Sequence, residues 1–350
     1  MMEQRIIVGI ASFGMSGKIF HAPLLTHHKN FKIKRIVERT KNEVHQLYPD
    51  VMVSRSFDEL LEDKEIELII VNTPDQAHFE YAAKSLEAGR HVIVEKPFTQ
   101  TVEQGKSLIA LARQKKKILS VFQNRRWDGD FLTVRRILQE QLLGRLVDYE
   151  AHFDRFRNVV QSDSWKEQSA SGAGVIFNLG THMIDQALVL FGMPEAVTAH
   201  LKTMRTGGEV DDWYDIRLQY PGVNVNLKSS LLVREPGPRY ILHGTHGSFL
   251  KWGIDPQEEA LKQGKNPNDP DWGKEPKEWW GLLHREGDNS QVREQYETLP
   301  GNYNAYYDNI FESIALGKEL SVIPEEALRV IQIIEAAKKS SAEQKTIMVK

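Results

Sequence analysis

The chain has 350 residues, a length that can form two domains of ordinary size, each with its own core. Its hydrophobic content of 41% and its charged content of 27% are those of a globular protein in water. A formal net charge of −3 gives no electrostatic reason to expect nucleic acid or an anionic membrane as a partner. The chain has no cysteine, which excludes disulfides, thiolate chemistry and zinc sites with cysteine ligands.

The N-terminal residues run directly into a strand-like segment and show no cleavable signal pattern. The longest apolar stretch, residues 175–193, is interrupted by Asn178, His182 and Asp185, so it lacks the pattern of a membrane span. We therefore expect the protein to work in the cytoplasm, without a membrane partner.

Residues 1–124 alternate strand-like and helix-like segments. Ser56 and Thr101 each precede a Glu or Gln by three positions, a spacing that predicts helix starts, and Gly89 predicts a helix end. Near-continuous apolar runs predict six parallel strands, at residues 5–10, 32–37, 51–54, 66–72, 91–95 and 118–122. This order predicts an α/β Rossmann domain, a doubly wound parallel sheet that binds its ligand at the carboxyl ends of the strands.

Residues 125–350 show a different pattern. Helices are predicted at residues 130–143 (closed by Gly144), 175–191, 305–316 and 325–341, and residues 254–300 are predicted to be loop-rich. Alternating segments predict strands at residues 145–156, 196–204, 211–220, 223–233 and 240–252. These elements predict an α+β domain with a large, mostly antiparallel, open-faced sheet.

The turn after the first strand carries a dinucleotide-binding pattern. It is G-x-G-x-x-G with serine in the first glycine position, and Gly17 in the last one lets the helix pack closely on the strand. The pyrophosphate is expected at the following helix N-terminus. The residues predicted to contact it are Ser12, Phe13, Gly14, Met15 and Ser16.

Glu38 closes the second strand, 21 residues after Gly17, where an acidic residue usually receives the ribose 2′-hydroxyl of NAD. Arg39 and Lys41 lie beside it and can hold the 2′-phosphate of NADP instead. Glu38 itself slightly favours NAD, and its alternative is a surface residue at a strand end.

Two further turns fall at the carboxyl edge of the predicted sheet. Thr73-Pro74-Asp75 follows the fourth strand, and His78 is either a helix-entry hydrogen bonder or a ligand contact. Glu95-Lys96-Pro97 ends the fifth strand, which directs Lys96 towards the nicotinamide end of a dinucleotide. Oxidation of an alcohol needs a group that holds the hydroxyl, a role for a partly desolvated lysine. The alternative is a solvated loop lysine, and Pro97 is a candidate for a cis peptide bond.

Within the helix predicted at residues 175–191, Asn178, His182 and Asp185 are spaced i, i+4 and i+7 on one face. A central imidazole suits proton transfer. A satisfied core histidine is the alternative. We predict no metal site, because no third ligand accompanies His182 and Asp185.

Four segments, in this order and spacing, resemble those of the Gfo/Idh/MocA oxidoreductases: the Gly-rich turn, NTPDQAH, EKPF and GVIFNLGTHMID. The resemblance covers the whole chain, and QNRRWDGDFLT and HFDRFR look most like a branch that includes NADP-dependent inositol dehydrogenases. It implies that Lys96 is the catalytic lysine and His182 the acid/base histidine. Asn178 stands where the family has an aspartate, which removes a negative charge beside the imidazole.

The resemblance also implies which residues line the bound molecules. Trp165 is expected near the nicotinamide or the substrate, and the open face of the second sheet is expected to form homo-oligomers, dimers or tetramers. The residues expected along the cofactor are Thr73, Pro74, His78, Glu95, Lys96 and Asn124. Because the branch uses NADP whereas Glu38 favours NAD, the cofactor stays open as NAD or NADP.

The sequence thus predicts a Rossmann domain over residues 1–124 and a substrate-binding and oligomerisation domain over residues 125–350. The predicted reaction is hydride transfer between a nicotinamide and a secondary alcohol of a cyclic polyol or sugar, with no nucleic-acid partner. Two alternatives remain. One is a non-catalytic dinucleotide-binding regulatory protein, which Asn178 favours, and the other is a sugar–sugar oxidoreductase with tightly bound NADP.

Overall fold

The structure is a computed structural model, and it describes residues 5–161, 167–168, 172–287 and 290–349. The chain forms two compact units. The first comprises Met1–Trp127, Gln257–Trp272 and Asn302–Leu328, and the second comprises Asp128–Pro256, Gly273–Gly301 and Arg329–Lys350. The first unit therefore contains two segments from the C-terminal half of the chain as well as the predicted Rossmann region.

The first unit contains a six-stranded parallel sheet in the order β3-β2-β1-β4-β5-β6. This is the strand order of a doubly wound dinucleotide-binding sheet, which confirms the predicted fold class. Its strands are β1 (Ile6–Ile10), β2 (Phe31–Val37), β3 (Met52–Ser54), β4 (Leu68–Val71), β5 (His91–Val94) and β6 (Leu119–Val121).

Both units contain α-helices. The predicted helix starts are confirmed, because the Ser56 and Thr101 hydroxyls accept the backbone N–H groups of Glu59 (3.1 Å) and Gln104 (3.3 Å). In chain order the α-helices are α1 (Ala22–His27), α2 (Glu43–Leu47), α3 (Phe57–Glu62), α4 (His78–Glu87), α5 (Val102–Lys115), α6 (Gly129–Gln139), α7 (Thr181–Phe191), α8 (Gln257–Lys262), α9 (Asn304–Leu316) and α10 (Pro324–Glu343).

The two C-terminal segments of the first unit complete its core. α9 supplies Tyr306 and Tyr307, and both are almost fully buried in one cluster with apolar side chains of β1 and β2. Burying such large aromatic side chains contributes strongly to stability. The Rossmann sheet therefore shares its core with residues almost 300 positions away in sequence.

The second unit contains a nine-stranded sheet in the order β14-β13-β12-β11-β7-β10-β9-β8-β15. Neighbouring strands are antiparallel except β7 and β10, which are parallel. The predicted, mostly antiparallel sheet is thus confirmed. Its strands are β7 (Leu146–His152), β8 (Ala196–Lys202), β9 (Trp213–Tyr220), β10 (Val223–Ser230), β11 (Tyr240–Gly244), β12 (Gly247–Lys251), β13 (Gly281–Glu286), β14 (Gln291–Tyr296) and β15 (Ile347–Met348).

Three predicted elements of this region were wrong in extent. The helix predicted to reach residue 143 ends at Gln139, because Gln141 adopts a left-handed conformation (φ 53°) that stops the helix before Gly144. Residues 240–252 form a hairpin of β11 and β12 and not one strand. Residues 254–300 contain α8, β13 and β14; the side chains of β14 are mostly exposed, so this edge strand lacks an apolar pattern.

Candidate active site

The turn after β1 closes tightly on the end of β4. A Cβ atom added to Gly17 would lie 2.4 Å from the Ser12 carbonyl oxygen, and the Asn72 side chain donates a hydrogen bond to that oxygen at 2.9 Å. The Ser12 hydroxyl accepts the N–H of Gly14 at 3.2 Å, so serine stabilises the turn from the position usually held by glycine. After this turn a π-helical segment, Gly17–His21, leads directly into α1.

The outer side of the same turn is open. A Cβ atom added to Gly14 would meet only the Ser12 hydroxyl, at 3.4 Å, among the described residues, and Gly14 and Met15 are exposed. A bare backbone of this kind lets a pyrophosphate approach closely. The turn therefore fits the phosphates of a dinucleotide.

Glu38 directs its carboxylate into its own loop. The carboxylate accepts the backbone N–H groups of Glu43 (2.9 Å) and Val44 (3.3 Å), and the side chain is buried. Arg55 holds this loop by donating to the carbonyl oxygens of Glu38 (2.8 Å) and Lys41 (2.7 Å). The carboxylate thus caps the start of α2 and is hydrogen-bonded within its own loop.

The cations beside Glu38 differ in their partners. Lys41 forms an ion pair with Glu43 at 3.0 Å, and Lys18 contacts the same carboxylate. Arg39 is exposed and forms no ion pair with the residues that the structure describes. Arg39 is therefore available to a negatively charged ligand.

His78 connects the turns that follow β4 and β5. Its Nδ1 lies 2.8 Å from the Pro97 carbonyl oxygen, and its Nε2 lies 3.0 Å from the Thr73 carbonyl oxygen. Burial lowers the pKa of His78, and the hydrogen bonds to the two carbonyl oxygens offset part of this effect. Between the two roles considered for His78, its position matches a hydrogen bonder at a helix entry.

Glu95 and Lys96 follow β5 directly, and the Lys96–Pro97 peptide bond is cis, as the sequence suggested. The Glu95 carboxylate accepts the backbone N–H of Lys96 at 3.0 Å and contacts His21 Nε2 at 3.0 Å. Lys96 is half-buried at the carboxyl edge of the sheet, the edge at which the Ser12–Gly17 turn also lies. One edge thus brings together a phosphate-binding turn and an ammonium group.

The remaining predicted cofactor residues of the first unit also lie at this edge. Pro74 precedes a 3-10 turn, Asp75–Ala77, and Asn124 is a buried residue at the start of another. Trp165 lies outside the described residues. Within the described part of the chain, no group of three or more His, Asp or Glu side chains is arranged to hold a metal ion, and no helix is long and apolar enough to cross a membrane.

In the second unit, the polar residues of the predicted helix lie on a π-helical turn, Ile176–Gly180, and on the helix α7 that continues it. Asn178 is half-buried on the π-helical turn, and His182 and Asp185 are buried on α7. All three are therefore carried by one continuous helical segment.

Asp211 holds the start of this segment. Its carboxylate accepts the N–H of Ile176 at 2.8 Å, and a Cβ atom on Gly174 (φ 97°) would lie 2.1 Å from it. Burial raises the pKa of Asp211 to about 6. Sequence reasoning missed Asp211, because no local pattern links it to a helix that begins 35 positions earlier.

Comparisons with known proteins agree with this arrangement. The family model described as the NAD-binding Rossmann fold of the Gfo/Idh/MocA oxidoreductase family matches residues 6–123, and that of the family's C-terminal alpha/beta domain matches residues 135–349. The chain is 41% identical to scyllo-inositol 2-dehydrogenase (NADP+) IolW of Bacillus subtilis, over 98% of this chain and 96% of that protein.

Two further relatives match at full length. The uncharacterized oxidoreductase YdgJ of Escherichia coli K12 is 39% identical over 99% of both chains. The crystal structure of an oxidoreductase from Bacillus cereus superposes with a TM-score of 0.90 at 35% identity, covering 99% of each chain. The chain therefore belongs to the Gfo/Idh/MocA oxidoreductase family, and it is an NAD(P)-dependent oxidoreductase.

Proposed function

We propose that this protein transfers a hydride between a nicotinamide cofactor and a secondary alcohol of a cyclic polyol or sugar of the inositol type. The observation that carries the proposal is the carboxyl edge of the Rossmann sheet, where the open Ser12–Gly17 turn and Lys96 lie together. The similarity to an inositol dehydrogenase over nearly the whole chain supports the substrate class.

The proposed chemistry divides between the residues and the cofactor. A bound nicotinamide would supply the group that takes the hydride from, or gives it to, the alcohol carbon. Lys96 donates a hydrogen bond to the reacting oxygen, and His182 accepts the hydroxyl proton during oxidation and returns it during reduction. Asn178 orients the substrate by hydrogen bonds, but it lacks the charge by which an aspartate would stabilise an imidazolium.

We further propose that NADP is the preferred cofactor. The acidic residue that would select NAD is Glu38, and its carboxylate is already bonded to two backbone N–H groups of its own loop. Exposed Arg39 remains as a guanidinium suited to a 2′-phosphate. The relative from Bacillus subtilis carries NADP+ in its name, which agrees with this proposal.

The decisive experiment measures absorbance at the reduced-nicotinamide band with inositols, aldoses and their keto derivatives, each with NAD and with NADP. We expect turnover with a cyclic polyol or sugar and a higher kcat/KM with NADP. Absence of turnover with either cofactor across the whole panel would contradict the proposal.

Asn178 supports a second candidate, a dinucleotide-binding regulatory protein without catalysis. Cofactor binding without turnover, with turnover appearing in Asn178→Asp, would favour that candidate. NADP that co-purifies with the protein would instead indicate the sugar–sugar oxidoreductase.

Location and assembly complete the proposal. We propose a cytoplasmic protein that forms homo-oligomers, dimers or tetramers, through the open face of the second sheet. Sedimentation of the purified protein tests the assembly: a monomer would contradict the proposed homo-oligomer.

A further inference from the structure

A chain of buried hydrogen bonds leads away from Lys96 into the first unit. Glu95 accepts the Lys96 backbone N–H with one carboxylate oxygen, and its other oxygen lies 3.0 Å from His21 Nε2. His21 Nδ1 in turn lies 2.6 Å from the Tyr307 hydroxyl. His21 and Tyr307 are fully buried. Three elements distant in sequence thus meet in one chain that ends at the backbone of Lys96.

The chemistry of the three groups fixes the direction of these bonds. Burial raises the pKa of Tyr307 well above its ordinary value, so the phenol keeps its proton and donates it to His21 Nδ1. Because an ionised carboxylate can only accept, His21 Nε2 carries the N–H that is donated to Glu95. Each acceptor in the chain therefore has its donor.

These hydrogen bonds keep Glu95 ionised. Burial by itself would raise the pKa of this carboxyl, but the hydrogen bond from His21, the electrostatic interaction with His21 and the charge of Lys96 together outweigh it and lower the pKa. The titratable groups that face the carboxylate are His21, His78, Lys96, Tyr306 and Tyr307.

The surroundings of the chain are aromatic. The His21 ring lies 4.5 Å from the Phe122 ring, and the Tyr307 ring lies 5.8 Å from Phe31, measured between centroids. In such a low-dielectric environment both hydrogen bonds and charge interactions are stronger than in water. Glu95 therefore holds its negative charge in this aromatic cluster, directly before Lys96 in sequence.

We propose that His21, Glu95 and Tyr307 are positioning residues for Lys96: they hold a carboxylate anion beside it, which keeps its side chain in the ammonium form that donates to the reacting oxygen. The inference rests on the proposed role of Lys96 in hydride transfer. In this inference the hydrogen-bonded group His21–Glu95–Tyr307 acts through Lys96.

The first test follows the protonation of Lys96 directly, by NMR of the full chain with labelled lysine, assigned with Lys96→Arg. In Glu95→Gln we expect Lys96 to lose its proton at a pH about one unit lower than in the wild type, because the neighbouring anion is gone. Glu67→Gln is the matched control. Glu67 directly precedes β4, and its carboxylate also accepts a backbone N–H, that of Ile7, at 3.0 Å. An unchanged midpoint in Glu95→Gln would overturn the inference.

The second test uses conservative variants of two adjacent buried tyrosines. Tyr307→Phe removes the donor to His21, whereas Tyr306→Phe removes a hydroxyl bonded to Ser120 at 3.1 Å. Carbon NMR of the Glu95 carboxyl should show protonation at a higher pH in Tyr307→Phe and unchanged protonation in Tyr306→Phe. Equal protonation of Glu95 in both variants would mean that the hydrogen bonds of His21, Glu95 and Tyr307 serve stability alone.

Neither NMR measurement depends on turnover, so both remain decisive if the proposed substrate class fails. If the enzyme does turn over, the basic limb of the kcat/KM profile should move to lower pH in Glu95→Gln and not in Glu67→Gln. A Glu95→Gln enzyme with the wild-type pH profile would contradict the inference while leaving the proposed function intact.

Discussion

The turn that carries Lys96 and the helix that carries His182 are held in place by different means. Lys96 follows a buried central strand. The carboxylate of the preceding residue, Glu95, is bonded to the buried imidazole of His21, and the carbonyl of the following residue, Pro97, is bonded to that of His78. His182 lies on a helical segment whose start is held by one half-buried carboxylate, that of Asp211. The first arrangement uses two imidazoles, whereas the second depends on a carboxyl whose pKa is raised by burial to about 6, so the two should respond differently to pH and mutation.

The largest effect should come from the proposed reacting groups themselves. Lys96→Ala and His182→Ala should each lower kcat/KM by about 10²- to 10⁴-fold, since each removes a group that holds or accepts the substrate proton. Steady-state kinetics with the best substrate would measure this, with the exposed Lys106→Ala as the control. Full activity in Lys96→Ala would show that Lys96 takes no part in the mechanism.

A second test distinguishes the two units by the pH dependence of stability. Because the pKa of Asp211 is raised to about 6 from an ordinary value of 3.8, the folded chain keeps a proton that the unfolded chain releases. Stability should therefore fall as pH rises from about 4 to 6, by about 3 kcal/mol in all. In Asp211→Asn this part of the pH dependence of Tm should vanish, and in the control Asp215→Asn it should persist. Identical profiles for the wild type and Asp211→Asn would contradict this account.

Within the first unit, two glycines of the same turn should behave differently. Gly17→Ala forces a Cβ atom to within 2.4 Å of a backbone oxygen, so the free energy of unfolding should fall by about 1–3 kcal/mol. Gly14→Ala meets no such contact, so it should fold normally and lose affinity for the dinucleotide only. Chemical denaturation and NADPH fluorescence would distinguish these outcomes; equal loss of stability in both would contradict the described turn.

The smallest effect concerns the choice of cofactor. Arg39→Ala should weaken NADPH binding by about tenfold, the loss of one charge-assisted hydrogen bond, and leave NADH binding unchanged. Fluorescence titration with each cofactor measures both affinities. A parallel loss for NADH would show that Arg39 does not read the 2′-phosphate.

Most of the Rossmann fold was predictable because its signals are local. Continuous apolar runs identify strands covered on both faces, and the Ser56 and Thr101 caps need only three residues of spacing. The predicted strand segments coincide with β1 to β6 within a few residues. The second unit was less predictable at its edges, because strand β14 exposes most of its side chains and carries no apolar period.

The sequence by itself determined the fold class, the glycine turn, and the placement of Lys96 after a central strand, since each depends on residues close together in the chain. Tertiary structure alone decided which side chains hold these residues. The contact between His21 and Tyr307 spans 286 positions, and the cap at Ile176 comes from Asp211. Glu38 shows the same limit, because its type suggests a ribose contact while its direction, set by the fold of its loop, makes it a helix cap. The residue type determines the chemistry of a side chain, but the direction in which the side chain points depends on how the whole polypeptide packs.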